Sequence, residues 1–448
     1  MKIIKYIFVS LLVVSFTSCK NWIETTDSTV NPNAATDAPA STILTHMMTA
    51  AIQANEGNNA RYANMFTQHF RGLARQHAGY DSYIMNSQNF QWGVEYQQII
   101  HQGKIVIEKA VAEGNKPLEG IAKLMQAWTY GNLTSLYGNI PFTEADQFET
   151  IKEPKFDDQM TVVYPGIQAL LDAAIADLGG AGGITGDIFL SNSATNWVAA
   201  AYTLKARYYL HVKDYANALT AAANGISAAA NDVLATHNGT TQSGRNLWND
   251  FLELQRTTDY GATGSFLATF IGTGGAKNNA KTNESARYAD IFAVNSDGDL
   301  DINYFGTSSL FSATSSFPLI TYRENQLIIA EANARLGNDA AAITALNNVR
   351  ASLAAQYTAG TYTAYVAADA EVSTNAALIT EIVRERYVTL VGQIEVFNDM
   401  RRNKNAMGIT PSTGTALPGR FLYPNAELQS NTNAPQNATL FDVLPVFQ

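Results

Sequence analysis

The sequence predicts a mostly α-helical protein: tetratricopeptide-like helical repeats, about four helix pairs, with a loop-rich irregular second lobe. Three observations carry this. Residues 195–227 and 325–353 each read as two helices around a short polar turn, with small and large apolar residues alternating at spacings of three and four. Residues 137–158, 232–320 and 404–448 are rich in Gly, Thr, Ser, Asn and aromatics and show little period. Apolar residues make up 46% of the chain, so the material for a large core is present.

At the amino terminus, "LLVVSFTSCKNW" holds the only cysteine of 448 residues. Lys2 and Lys5 precede a nearly continuous apolar run from Tyr6 to Phe16, and small residues lead to Cys19. A positive flank, an apolar centre and small residues before a cut describe an export signal. The run falls short of the roughly 20 apolar residues that span a bilayer. "SFTSC" resembles a lipobox, with Phe16 where Leu is usual. Residues 1–18 are thus expected to be removed and Cys19 to carry lipid. The alternative is a plain exported protein. A single cysteine rules out an intramolecular disulfide. Residues 19–40, polar and proline-containing, read as a tether, and 41–448 as one domain.

Ser41 offers an N-cap for "ASTILTHMMTAAIQAN". "RYANMFTQHFRGLARQ" reads as the next helix. "FQWGVEYQQIIHQGKIVIEKAVAEG" then pairs with "PLEGIAKLMQAWTYGNLTSLYG" as a weaker repeat. In the clearest repeats the turns fall at Val212–Asp214 and at Leu336-Gly337-Asn338. "ALITEIVRERYVTLVGQIEVFNDMRR" supplies half of a fourth. Such pairs cannot bury their apolar faces alone, so they stack. Long irregular stretches inside a compact domain are often functional, and these are expected to pack as a lobe beside the repeats.

Several chemistries are excluded or weakened. The net charge is −10 and no Lys/Arg cluster stands out, which argues against nucleic acid as a partner. Gly179–Gly186 and Gly272–Lys277 lack phosphate-loop spacing. No zinc or serine-elbow spacing occurs, and His69 and His77 lie near each other, but no cysteine or acidic partner makes them a site. Asp297, Asp299 and Asp301 alternate around Gly298 as calcium ligands can, but Gly306 stands where a closing glutamate belongs, so a turn is the better reading. No cofactor is implied. Paired carboxylates for glycoside hydrolysis stay open, although Glu113, Glu324, Glu331 and Glu381 read as solvated helix faces.

The assembled features resemble the SusD/RagB nutrient-binding lipoproteins of Bacteroidetes. The lipobox, the tether, "YGNIPFTEADQ", "AEANARLGNDAAAITALNNVRA", "ERYVTLVGQIEVFNDMRRNK" and "PGRFLYPNAELQSNTNA" follow in that family's order. The resemblance implies a non-catalytic outer-membrane binding protein. It would be held on the cell surface by its lipid and seated on a SusC-like, TonB-dependent transporter, to which it delivers oligosaccharide or sometimes peptide. Ligand would bind in the irregular lobe. A sugar needs rings for its apolar face and polar groups for its rim. Arg75–Gly93 offers Tyr80, Tyr83 and Trp92 beside Gln76, Asp81 and Asn89, and the later lobe adds Trp248 and Tyr304. Trp92 has the alternative of a core residue opening its helix; Trp128 and Trp197 read as core. Two other functions stay in play: an exported glycoside hydrolase, and a lipid-anchored repeat scaffold for a protein.

Overall fold

The computed structural model describes residues 37–448. The expected signal, Cys19 and most of the tether lie outside the described residues. Helix α1 (Ala40–Glu56) begins one residue before the expected cap: Pro39 precedes it and Ser41 lies inside. Helix α2 (Asn58–Phe66) is shorter than the pattern suggests. The chain leaves it at Thr67, and Arg71–Gly72 forms a two-residue ladder with Tyr260–Gly261 before α3 (Arg75–Asp81).

A π turn, Val94–Ile100, runs into α4 (His101–Glu113), which turns at Gly114 (φ +68°) into α5 (Lys116–Tyr137). Asn115 caps α5 by accepting from the Leu118 amide, and Pro117 starts it. From Leu118 to Tyr137 nearly every residue of α5 is buried. A helix enclosed on all sides is the hub of its bundle. Gly131 shows how tight the packing is. A Cβ there would sit 2.1 Å from the Tyr208 ring, so α5 and α7 (Ala194–His211) meet only because the side chain is missing. The Tyr208 hydroxyl donates across that contact to the Trp128 carbonyl at 3.0 Å.

Between them packs α6 (Tyr164–Leu178), a helix the repeat analysis passes over. Its buried residues Ile167, Leu171, Ala174 and Leu178 recur at helical spacing. The two clearest repeats appear as expected. Helices α7 and α8 (Tyr215–Ala222) join at Lys213 (φ +61°), with Asp214 capping the second. Helices α9 (Tyr322–Arg335) and α10 (Asp339–Gln356) join at Gly337 (φ +79°), where the positive φ suits glycine. Helices α11 (Asn375–Thr389) and α12 (Glu395–Arg402) complete the stack.

The stack is riveted by buried ion pairs, which corrects the reading of the carboxylates as solvated. Only Glu113 is exposed. Glu331 receives Arg402 through two bonds, Nη1 at 2.5 Å and Nη2 at 2.8 Å, while Arg386 and Arg402 share Asp399. Glu324 receives Arg207 in the same forked way, with both oxygens at 2.6 Å. Lys277 reaches Glu381 at 2.6 Å and Glu385 at 2.8 Å. Polar residues at helical spacing look like solvent faces when the opposing charge comes from another helix.

Residues 232–320 also depart from expectation. They contain three short helices, Leu247–Asn249, Phe266–Ile271 and Ser285–Ile291, and an antiparallel pair, Phe292–Val294 with Leu300–Ile302. Val233–Ala235 pairs with Phe317–Ile320. Phe70, Trp248, Tyr260 and Phe311 form an aromatic core beneath them. The lobe is irregular but built on buried rings that join the main hydrophobic core of the helices.

Candidate functional site

The ladder between Arg71–Gly72 and Tyr260–Gly261 brings the two predicted binding segments together. Two carboxylates fix α3: Asp81 ties it to the ladder strand at 71–72, and Asp259 ties it to the later segment. Asp81 holds Arg71 in a forked pair, Nε at 3.0 Å and Nη2 at 2.6 Å, and accepts the Gly72 amide at 3.3 Å. Asp259, fully buried, faces Arg75 with one oxygen and His77 Nδ1 at 3.1 Å with the other. Burial outweighs this carboxylate and holds the His77 pKa below its ordinary value. Both acids therefore act as clamps, already taken up by cations.

On that platform the Tyr80 ring is half-buried. It stands edge-on to Tyr62 at 5.8 Å and to His77 at 5.4 Å. Its hydroxyl accepts from Asn89 Nδ2 at 2.9 Å, which leaves its own proton to donate. Burial, with Tyr80 beside it, pushes the Tyr62 phenol up to about 12, so that phenol stays protonated. Arg61 lies over the Phe251 ring, 4.1 Å from its centre, and is engaged by Asn58. Gln76 and Arg75 are exposed. The face thus presents a ring beside amide, hydroxyl and guanidinium donors.

The other predicted residues divide. Asp81 is in place but occupied. Tyr83 is buried, packing on Phe66 and Phe441, and its hydroxyl accepts the Ser412 amide. Trp248 is a correction: it is fully enclosed, stacked among Phe70, Tyr260 and Phe311, where no ligand reaches it. Tyr304 is half-buried further along the lobe, against Phe305. Trp92 opens its helix as a largely buried ring, yet its edge lines a separate groove. Trp128 and Trp197 are core as expected.

Asn295 to Asp301 form the expected turn rather than a calcium loop. Asn295 Oδ1 accepts the amides of Asp297 and Asp299, and Asp301 Oδ1 accepts the Ile302 amide, so this is a capped hairpin turn. Among the described residues no group of three or more His, Cys, Asp or Glu is placed to hold a metal. Sequence reasoning missed Arg61, Phe251 and Asp259. Asp259 lies 182 residues from His77, and no local pattern joins them.

The motifs behind the resemblance turn out to be structural. Arg420 donates to the Tyr137 carbonyl and lies over Tyr423, whose hydroxyl donates to the Asn139 carbonyl at 2.8 Å. Arg401 donates to the Ser135 carbonyl at 2.8 Å, and Phe397 is core. They lock the end of α5 to α12 and to the segment 420–423.

Comparison with known proteins agrees. A SusD-like family model described as "Starch-binding associating with outer membrane" matches residues 32–424. Solved structures share the fold at low identity. A SusD/RagB family protein of Bacteroides thetaiotaomicron is 21% identical, with a TM-score of 0.66 over 89% of this chain and 95% of that one. A SusD homolog of Bacteroides fragilis is 17% identical, with a TM-score of 0.70 over 92% and 100%. A chitin-binding protein is 18% identical, with a TM-score of 0.67 over 88% and 95%. No curated protein matches the chain. The family model spans most of the chain, residues 32–424, and this chain belongs to the SusD-like family.

Proposed function

We propose that the protein is a non-catalytic glycan binder that captures oligosaccharide on its Tyr80 face. Tyr80 carries this reading: a ring held edge-on by its neighbours, with a hydroxyl proton left to donate and Asn89 and Gln76 beside it. Both carboxylates of the platform are paired with cations, which leaves them as supports rather than an acid–base couple. A family described as starch-binding and a chitin-binding structural neighbour support carbohydrate as the ligand class. In this reading Cys19 carries the lipid that holds the protein on the outer membrane, residues 19–40 are the tether and 41–448 one domain. A SusC-like, TonB-dependent transporter receives the bound sugar.

Incubation with starch and chitin oligosaccharides tests the non-catalytic claim. Intact oligosaccharides retained by the protein are the expected result; shortened products would instead support the hydrolase reading. Purification from native outer membranes should bring the transporter with it, and a partner without any ligand would favour the scaffold reading.

A further inference from the structure

A cavity of about 260 Å³ opens where the strand pair Val233–Ala235 and Phe317–Ile320 meets the start of α9 and the ends of α10 and α11. That is just under the ~300–1,000 Å³ of sites for drug-sized ligands, so it suits a smaller one. Leu234, Leu310 and Pro318, all half-buried, give it an apolar wall.

Its polar groups fall into two sets. One set is spent. Arg287 is forked onto Glu284 and reaches Glu385 at 2.8 Å. Tyr357 donates to Asp290 at 2.8 Å, and Thr389 to Glu385 at 3.0 Å. The Thr321 hydroxyl accepts the Glu324 amide at 3.2 Å. The other set is open. Arg323 donates through Nε and Nη2 to the hydroxyl and carbonyl of Ser352, both at 2.9 Å, and Nη1 is left over. Asp232 accepts the Tyr322 amide at 2.7 Å with Oδ1, and Oδ2 is left over. Neither Nη1 nor Oδ2 is sealed from solvent. The Gln393 side chain is only 6% exposed, yet its amide has no hydrogen-bond partner among the described residues. Ser316 and the exposed Gln356 also keep free side-chain groups.

Arg323 and Asp232 are the unusual members. Both are half-buried, and neither forms an ion pair with the other or with any described residue. Elsewhere in the stack buried guanidinium groups meet carboxylates, Arg207 on Glu324 and Arg402 on Glu331. A charge taken out of water without a partner is costly. Burial pushes the Asp232 carboxyl up to about 6 and holds Arg323 below its ordinary value; attraction between the two opposes this without cancelling it. The two charges are thus near enough to feel each other and too far apart to pair. Around them, Arg287 repels Arg323, Glu385 attracts it, and Glu324 repels Asp232. A lone anion would answer Arg323 but crowd Asp232, and a lone cation the reverse. A zwitterion answers both and adds no net charge. Guanidinium matches a carboxylate in a planar fork, and a carboxylate accepts from an ammonium.

We propose that this cavity binds a free α-amino acid with an aliphatic side chain, its carboxylate on Arg323, its ammonium on Asp232 and its side chain against Leu234, Leu310 and Pro318. The site is separate from the Tyr80 face and does not rest on it.

Isothermal titration calorimetry at neutral pH tests this with L-valine, L-leucine, L-isoleucine and L-methionine. Wild type is compared with Asp232→Asn, Arg323→Gln and Tyr80→Ala. At least one amino acid should bind saturably to wild type and equally to Tyr80→Ala, and at least five-fold more weakly to Asp232→Asn and to Arg323→Gln. Isocaproate and isoamylamine, which carry one charge each, should bind wild type at least five-fold more weakly than the best amino acid. Asp232→Asn still offers an oxygen to the Tyr322 amide, so it keeps its fold even if Arg323→Gln does not, and thermal melting checks both. The proposal is overturned if none of the four amino acids binds, if Asp232→Asn binds as tightly as wild type, if a one-charge analogue matches the best amino acid, or if binding disappears in Tyr80→Ala.

Discussion

At the scale of single residues, burial decides which groups can serve a ligand. Tyr80 keeps a free donor because Asn89 satisfies only its acceptor side. Stacking of one ring on a flat ligand contributes about 1–3 kcal/mol where it has been measured with nucleobases. Tyr80→Ala should therefore weaken oligosaccharide binding roughly 10-fold, while thermal melting changes little. Glu95 illustrates the opposite case. It is buried, and desolvation pushes its pKa from 4.5 up to about 7, although Asn59 donates to it at 2.9 Å. The folded protein holds that proton where the unfolded chain releases it. Stability from this group is thus present below about pH 4.5 and lost as pH rises to about 7. Glu95→Gln should gain on wild type by on the order of 3 kcal/mol between pH 4.5 and pH 8, read by urea unfolding at both pH values. Equal changes at the two pH values would contradict it. His69 works in the other direction. Burial lowers its pKa from 6.5 to about 3, so its neutral form favours folding above that range and is lost as a stabilising factor when pH falls from 6.5 to 3.

At the scale of elements, the helix stack depends on charges that cross between helices. Glu331 of α9 is held low, at about 2; burial opposes this, and Arg402 of α12 with Arg386 of α11 overcomes it. Replacing the carboxylate leaves buried guanidinium groups without a partner, which costs about 3–5 kcal/mol. Glu331→Gln should lower stability by that order in denaturant titration, whereas Glu113→Gln, on an exposed face, should change it by less than about 0.5 kcal/mol. A small effect of Glu331→Gln would mean that the network contributes little to holding the repeats together. At the α5–α7 contact, Gly131→Ala should also destabilise markedly, because its Cβ meets the Tyr208 ring rather than open space.

At the scale of the whole molecule, the helical architecture was legible because period and turn chemistry are local. Lys213 and Gly337 stand at the predicted turns. Helix α6 was passed over although its apolar spacing is regular, because it follows an irregular stretch and matches no repeat turn. The candidate site was legible only in part. Tyr80, Asn89 and Gln76 share one segment with the right mixture of ring and polar groups. Trp248 and Tyr83 belong to the same composition, yet they are buried by partners hundreds of residues away or across the lobe. Composition shows which residues could bind; only the long-range ladder between 71–72 and 260–261 shows which remain outside. The same limit hid the ion pairs, since a glutamate on α9 gives no sign of an arginine on α12. Anchoring also belongs to this scale. Cys19→Ala protein should leave the membrane fraction and appear soluble, since lipid burial contributes about 0.8 kcal/mol per methylene.

The central claim is that the Tyr80 face binds glycan without cleaving it. Isothermal titration calorimetry with starch and chitin oligosaccharides, comparing wild type with Tyr80→Ala, tests it most directly. Saturable binding by wild type, weakened roughly 10-fold in a Tyr80→Ala protein of unchanged melting temperature, is the predicted result. Binding of equal strength in both proteins, or none in either, would contradict it.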